Sequence, residues 1–146
     1  MRQLAALALA AVLLVLGGCR EHNPDQRAWG CVLHATNTDG PSDERVQAHV
    51  ERLRSVFGYR RYTVLGSAWG SDEPQTAQWV QPTKEFFLRI TPDEKQPAGT
   101  YRIFVYQNQK ELLQTTAQLP PNKPLFIAGQ NYGQGKLIVL LEVRRP

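Results

Sequence analysis

The sequence predicts an α+β domain: mainly antiparallel sheet, about six to eight short strands, with one amphipathic helix covering a face. Three observations predict it. One segment, about residues 43–57, repeats apolar residues at helical spacing. The segments after it are short runs rich in β-branched and aromatic residues, several alternating in polarity. The order along the chain is strand, helix, then strands only. A β-sandwich carrying an inserted helix remains the alternative arrangement. No internal repeat and no linker divides residues 29–146, which can build one core.

Trp29 to Ala35 reads as the first strand, followed by a turn-rich loop from Thr36 to Pro41. Ser42 reads as the helix N-cap, with Asp43 and Glu44 in the first turn, where negative charge suits the helix dipole. Val46, Val50, Leu53, Val56 and Phe57 then recur at helical spacing, and Gly58 supplies the stop. The polar face carries Gln47, His49, Glu51, Arg52 and Arg54.

Tyr62 to Leu65 reads as strand and Gly66 to Pro74 as loop. Thr76 to Val80 is a short strand ended by Pro82. Glu85 to Ile90 is a longer one, with Phe86, Leu88 and Ile90 on one face. A turn runs from Thr91 through Gly99. Thr100 to Gln107 and Lys110 to Gln118 form a hairpin about Asn108-Gln109. Pro120 to Pro124 breaks the chain, Leu125 to Ala128 is short, and Gly129 to Gly135 reads as a hairpin loop. Lys136 to Val143 is apolar on both faces, which marks a central or covered strand.

The N-terminus is Met1-Arg2-Gln3 followed by an apolar run from Leu4 to Leu16. A positive start followed by a short apolar run is a secretory signal. The run is shorter than the roughly 20 residues a spanning helix needs. It ends Leu16-Gly17-Gly18-Cys19. This resembles the lipobox of bacterial lipoproteins. The resemblance covers residues 1–19 and implies three things. Leu16, Gly17 and Gly18 are the recognition positions of signal peptidase II. Cleavage falls before Cys19, making 1–18 the signal peptide. Cys19 carries the lipid. Two or more acyl chains hold a protein stably on a membrane. Arg20 stands where the family commonly carries an inner-membrane retention Asp, so the resemblance points to the outer membrane, facing the periplasm, in a Gram-negative cell. Residues 19–28 then form a lipidated polar tether, of which the eight residues Arg20 to Arg27 reach at most about 25–30 Å.

Hydrophobic residues make up 42% of the chain and charged residues 21%, which excludes a mainly disordered or collagen-like protein. The net charge is +4. Removing Arg2 leaves 16 basic and 13 acidic residues, a weak attraction for anionic envelope surfaces. The basic residues are scattered, and no nucleic-acid partner is expected. Two cysteines exclude a disulfide framework. With Cys19 lipidated, Cys31 is a lone thiol in an apolar strand and reads as a small buried hydrophobe.

No catalytic constellation emerges. Gly66-Ser67-Ala68-Trp69-Gly70 places its Ser one position early for a nucleophile elbow. Cys31 and His34 would face opposite sides of a strand, so no metal site is assigned. Gly129 to Lys136 has the Gly and Lys of a phosphate loop, but no Ser or Thr and no helix after it. No cofactor is implied. Aromatic and arginine residues gather instead near loops and strand ends, a composition enriched at binding hot spots. Tyr59, Arg60, Trp69, Trp79 and Tyr132 are the candidate surface, with Tyr106 and Arg102 on a strand. The expected function is a non-catalytic binding or accessory module of an envelope assembly, with an envelope protein or wall glycan as partner. The alternative is a glycan-binding or glycan-hydrolysing protein, which would need Asp72, Glu73, Asp93 or Glu94 to converge.

Overall fold

The computed structural model describes residues 27–70 and 78–145. Residues 1–26, on which the expected signal peptide, lipidated Cys19 and most of the expected tether fall, lie outside the described residues. Strand β1 begins at Arg27, so the last two residues assigned to the tether already belong to the sheet.

Eight strands are described. They are β1 (Arg27–Thr36), β2 (Arg61–Trp69), β3 (Gln78–Val80), β4 (Phe86–Pro92), β5 (Thr100–Gln107), β6 (Lys110–Gln118), β7 (Leu125–Tyr132) and β8 (Gly135–Arg144). Between β1 and β2 stand a 3₁₀ turn, Glu44–His49, and helix α1, Val50–Phe57. One four-stranded sheet runs β2-β1-β8-β7, and the second is the meander β3-β4-β5-β6. All described strand pairs are antiparallel. The fold is therefore α+β, and its two sheets pack face to face with the helix segment on the outer side of the first.

Period-two alternation sets these layers. In β1 and β8, Val32, Leu137, Val139 and Leu141 point inward to meet Val80, Phe86, Leu88, Ile90, Ile103 and Val105 of the meander. The opposite faces carry Trp29, Cys31, Leu33, Ala35, Ile138 and Leu140, which pack under Val46 and Leu53. Each such buried aliphatic side chain contributes roughly 1.5–3 kcal/mol. β8 lies between β1 and β7, and its two apolar faces pack in the inter-sheet core and under the helix segment.

The helix departs from expectation in three details. Its first turns are 3₁₀. Its cap is Asp43, whose carboxylate accepts from the Arg45 amide at 3.0 Å. Ser42 instead accepts from the Tyr62 amide through Oγ, tying the loop to β2. Val56 is 59% exposed, because Val46, Val50, Leu53 and Phe57 already fill the face toward the sheet. Gly58 ends the helix in the left-handed region, φ 78°, as expected.

Two segments expected as loop are strand. Gly66–Trp69 continues β2 in register with Val32 to Trp29, after a bulge at Val32/Leu33. Gly129–Tyr132 continues β7. A side chain at Gly129 would place its Cβ 2.8 Å from the Leu137 carbonyl oxygen, so that glycine permits close strand approach. The β5–β6 hairpin turns at Asn108-Gln109, both at positive φ, as expected.

Candidate functional site

The helix segment covers one face of the first sheet. Among the described residues, no helix covers the outer face of the meander. Its outward positions are Phe87, Arg89 and Thr91 on β4 and Arg102, Phe104 and Tyr106 on β5, alternating with the buried set. Phe87 and Tyr106 are cross-strand partners with ring centroids 4.8 Å apart and planes within 18°. Phe104 stacks beside Tyr106 at 6.4 Å. The Arg89 guanidinium lies 4.0 Å from the Phe104 centroid, and that of Arg102 lies 5.3 Å from it. Phe104 is only 5% exposed although it faces outward. The result is a rigid ladder of rings and cations, with Gln114 and Thr116 of β6 in register beside it. Stacking engages the guanidinium faces, and Arg102 is the exposed one of the two arginines.

The five singled-out residues are distributed around the molecule. Trp79 lies in register with Arg89, at the edge of the ring–arginine face. Trp69 ends β2, opposite Trp29, and is 40% exposed. Tyr132 lies at the far end of the first sheet, 37% exposed, edge-on to His34 at 5.1 Å. Its carbonyl is 3.0 Å from His34 Nε2. Tyr59 is half-buried against the helix-side core. Arg60 is exposed and pairs with Asp39 at 3.4 Å. Sequence reasoning named Tyr106 and Arg102 but missed Phe87, Arg89 and Phe104 as a unit. Their alternation with Leu88 and Ile103 carried the signal.

A second cluster lies between the 3₁₀ turn and the first sheet. Glu142 of β8, buried at 5%, faces the helix side. His49 Nε2 is 2.7 Å from its Oε2, and Arg144 donates to its other oxygen. Arg144 also donates through Nη2 to the Arg45 carbonyl at 2.7 Å and covers Trp29 at 3.7 Å. The sequence places His49 on the polar face of the helix. Its partner is 93 positions away, which no local pattern encodes. This cluster fastens the helix segment to the sheet.

Cys31 sits in the same layer, fully buried. Burial pushes its thiol up to about 12, so the nucleophilic thiolate is suppressed. Cys31 packs among the helix-side core, opposite in alternation to His34, as expected. Among the described residues no group of three His, Cys, Asp or Glu stands together. Only two of the four acids that hydrolysis would need fall among the described residues. Asp93 accepts from the Lys95 amide within its own turn, Glu94 is exposed, and Asp72 and Glu73 lie outside the described residues.

Comparisons with protein-family models, with curated proteins and with solved structures returned no match.

Proposed function

We propose that the chain is an envelope lipoprotein anchored through lipid on Cys19, whose folded domain is a non-catalytic binding or accessory module of an envelope assembly. In a Gram-negative cell its place is the outer membrane, facing the periplasm. The anchoring reading rests on Leu16-Gly17-Gly18-Cys19 alone. The binding reading is carried by the ring–arginine ladder on the outer face of the meander. An outer-face set with Arg102 exposed and Phe87, Arg89 and Tyr106 half-buried, held by mutual stacking, loses little side-chain entropy when a partner covers it.

The test is in-cell crosslinking of the full-length protein, followed by pulldown and mass spectrometry. Cys19→Ser serves as the anchoring control. Arg102→Glu and Tyr106→Ala alter the outer face while leaving the inter-sheet core intact. One dominant envelope protein, lost in all three variants, is the expected result. A partner retained by both face variants would remove the ladder from the binding site. Retention on purified sacculi without a protein partner would replace this reading with wall-glycan binding.

A further inference from the structure

The strand register gathers a distinctive set of residues at one end of the first sheet. Arg27 is paired with Arg144 across β1 and β8, and Trp29 with Trp69 across β1 and β2. Arg145 follows β8 and is exposed. Trp29 is 3% exposed, sandwiched between the Arg144 guanidinium at 3.7 Å and the Trp69 ring at 6.4 Å. Trp69 is thus braced from behind and keeps 40% of its surface in solvent. Glu142, the carboxylate in register with Trp29, is buried and ion-paired with Arg144. Trp69 and Arg145 are both exposed at this end.

This same end receives the chain from Cys19. The eight residues leading from Cys19 to Arg27 extend at most about 25–30 Å. A lipid on Cys19 therefore holds this end, rather than the Tyr132 end, nearest the bilayer. Tryptophan favours the headgroup region, where its ring is half in apolar surroundings and its N–H is wet. Arginine beside it is attracted to anionic headgroups.

We infer that the Trp69–Arg145 end of the first sheet docks on the anionic lipid leaflet that carries the anchor, fixing the domain's orientation on the membrane. The inference rests on the lipid anchor proposed at Cys19. Docking would leave the ring–arginine face of the meander, which is a different surface, accessible to a partner.

The test uses protein purified from cell membranes, in which intact mass reads the lipid on Cys19. A Trp79→Phe background leaves Trp69, 40% exposed, and Trp29, 3% exposed, as the emitters. The protein is reconstituted into vesicles of phosphatidylcholine with about one third phosphatidylglycerol, a fraction that gives a surface charge of the physiological sign, plus a lipid quencher placed near the headgroups. Quenching of Trp69 is expected. It should fall at least twofold in Arg145→Glu and in vesicles of phosphatidylcholine alone, and it should disappear in Trp69→Phe. Lipidated protein whose Trp69 emission is unquenched on the anionic vesicles overturns the docking while leaving the anchor intact. Protein without lipid mass on Cys19 removes the anchor reading and the orientation together. Quenching equal on anionic and neutral vesicles overturns the charge-based choice of leaflet.

Discussion

Replacing Arg144 by alanine should destabilise the domain by about 3 kcal/mol. The figure follows from what the guanidinium holds. It donates to Glu142, donates to the Arg45 carbonyl at 2.7 Å and covers Trp29 at 3.7 Å. The Glu142 side chain is 6% exposed, and without Arg144 it keeps His49 as its recorded partner. Breaking a buried ion pair from one side costs roughly 3–5 kcal/mol. Arg144 is 24% exposed, so water can reach the vacated site, and the low end of that range applies. Loss of the stack on Trp29 offsets part of that relief, at about 0.5–1 kcal/mol. For a domain of this size about 3 kcal/mol corresponds to a fall in Tm of roughly 10 °C. Urea unfolding followed by tryptophan emission, with thermal circular dichroism beside it, measures both. Glu142→Gln in the Arg144→Ala background should recover about 1–2 kcal/mol, because it removes the uncompensated charge rather than the contact. A cost below about 1 kcal/mol, or no recovery with glutamine, would show that the cluster does not clamp the helix segment and would refute the reasoning.

Other expectations follow from single side chains. In a Cys19→Ser chain, Cys31 should be silent to a thiol reagent at pH 8 and react fully in denaturant. Its thiol titrates near 9.0 in the unfolded chain and about 12 in the fold, so stability should fall as pH rises between those values, and Cys31→Ser should flatten that fall. The hydrogen bond from Arg45 holds the Asp43 carboxyl at about 2, below its unfolded 3.8. That stability is present above 3.8 and is lost as pH falls through about 2; acid titration of Asp43→Asn should show a weaker loss. Tyr62→Phe removes the hydroxyl that donates to the Leu53 carbonyl at 2.8 Å, and chemical denaturation should register about 1 kcal/mol.

Legibility of the fold tracked the range of the interactions that determine it. Residues 100–107 and 110–118 were bounded in the sequence as the structure has them, because alternation and a two-residue turn are local. Gly66 and Gly129 were read as loop because glycine most often marks a turn. Here one sits beside a bulge and the other under a carbonyl of the adjacent strand, and neither neighbour can be read from its own segment. The pairing of two separate sheets was open for the same reason. It depends on Val32 and Leu137 meeting Leu88 and Ile103 across the core. The candidate surface was legible as a composition of Tyr, Trp and Arg, but not as a place. Trp69 and Tyr132 stand at opposite ends of one sheet, while Arg89, Phe104 and Tyr106 converge through cross-strand register.

The layering constrains where function can sit. The first sheet has one face against the helix and the other against the meander, and both are occupied by apolar packing. The meander has one such face, leaving its outer face as the broad one without a covering layer among the described residues. That face carries rings and arginines where an alternating strand would ordinarily carry scattered polar residues. Ordinary solvation does not require Phe87, Phe104 and Tyr106 in adjacent outward positions. Phe104 is buried within that face, at 5% exposure, while Phe87 and Tyr106 are half-buried. Their mutual stacking, with Arg89 and Arg102 over Phe104, limits the apolar area shown to water while keeping a shaped, cationic surface. Under the proposed binding role, a partner bearing carboxylates or phosphates would meet the exposed Arg102 fork beside the half-buried Tyr106 ring.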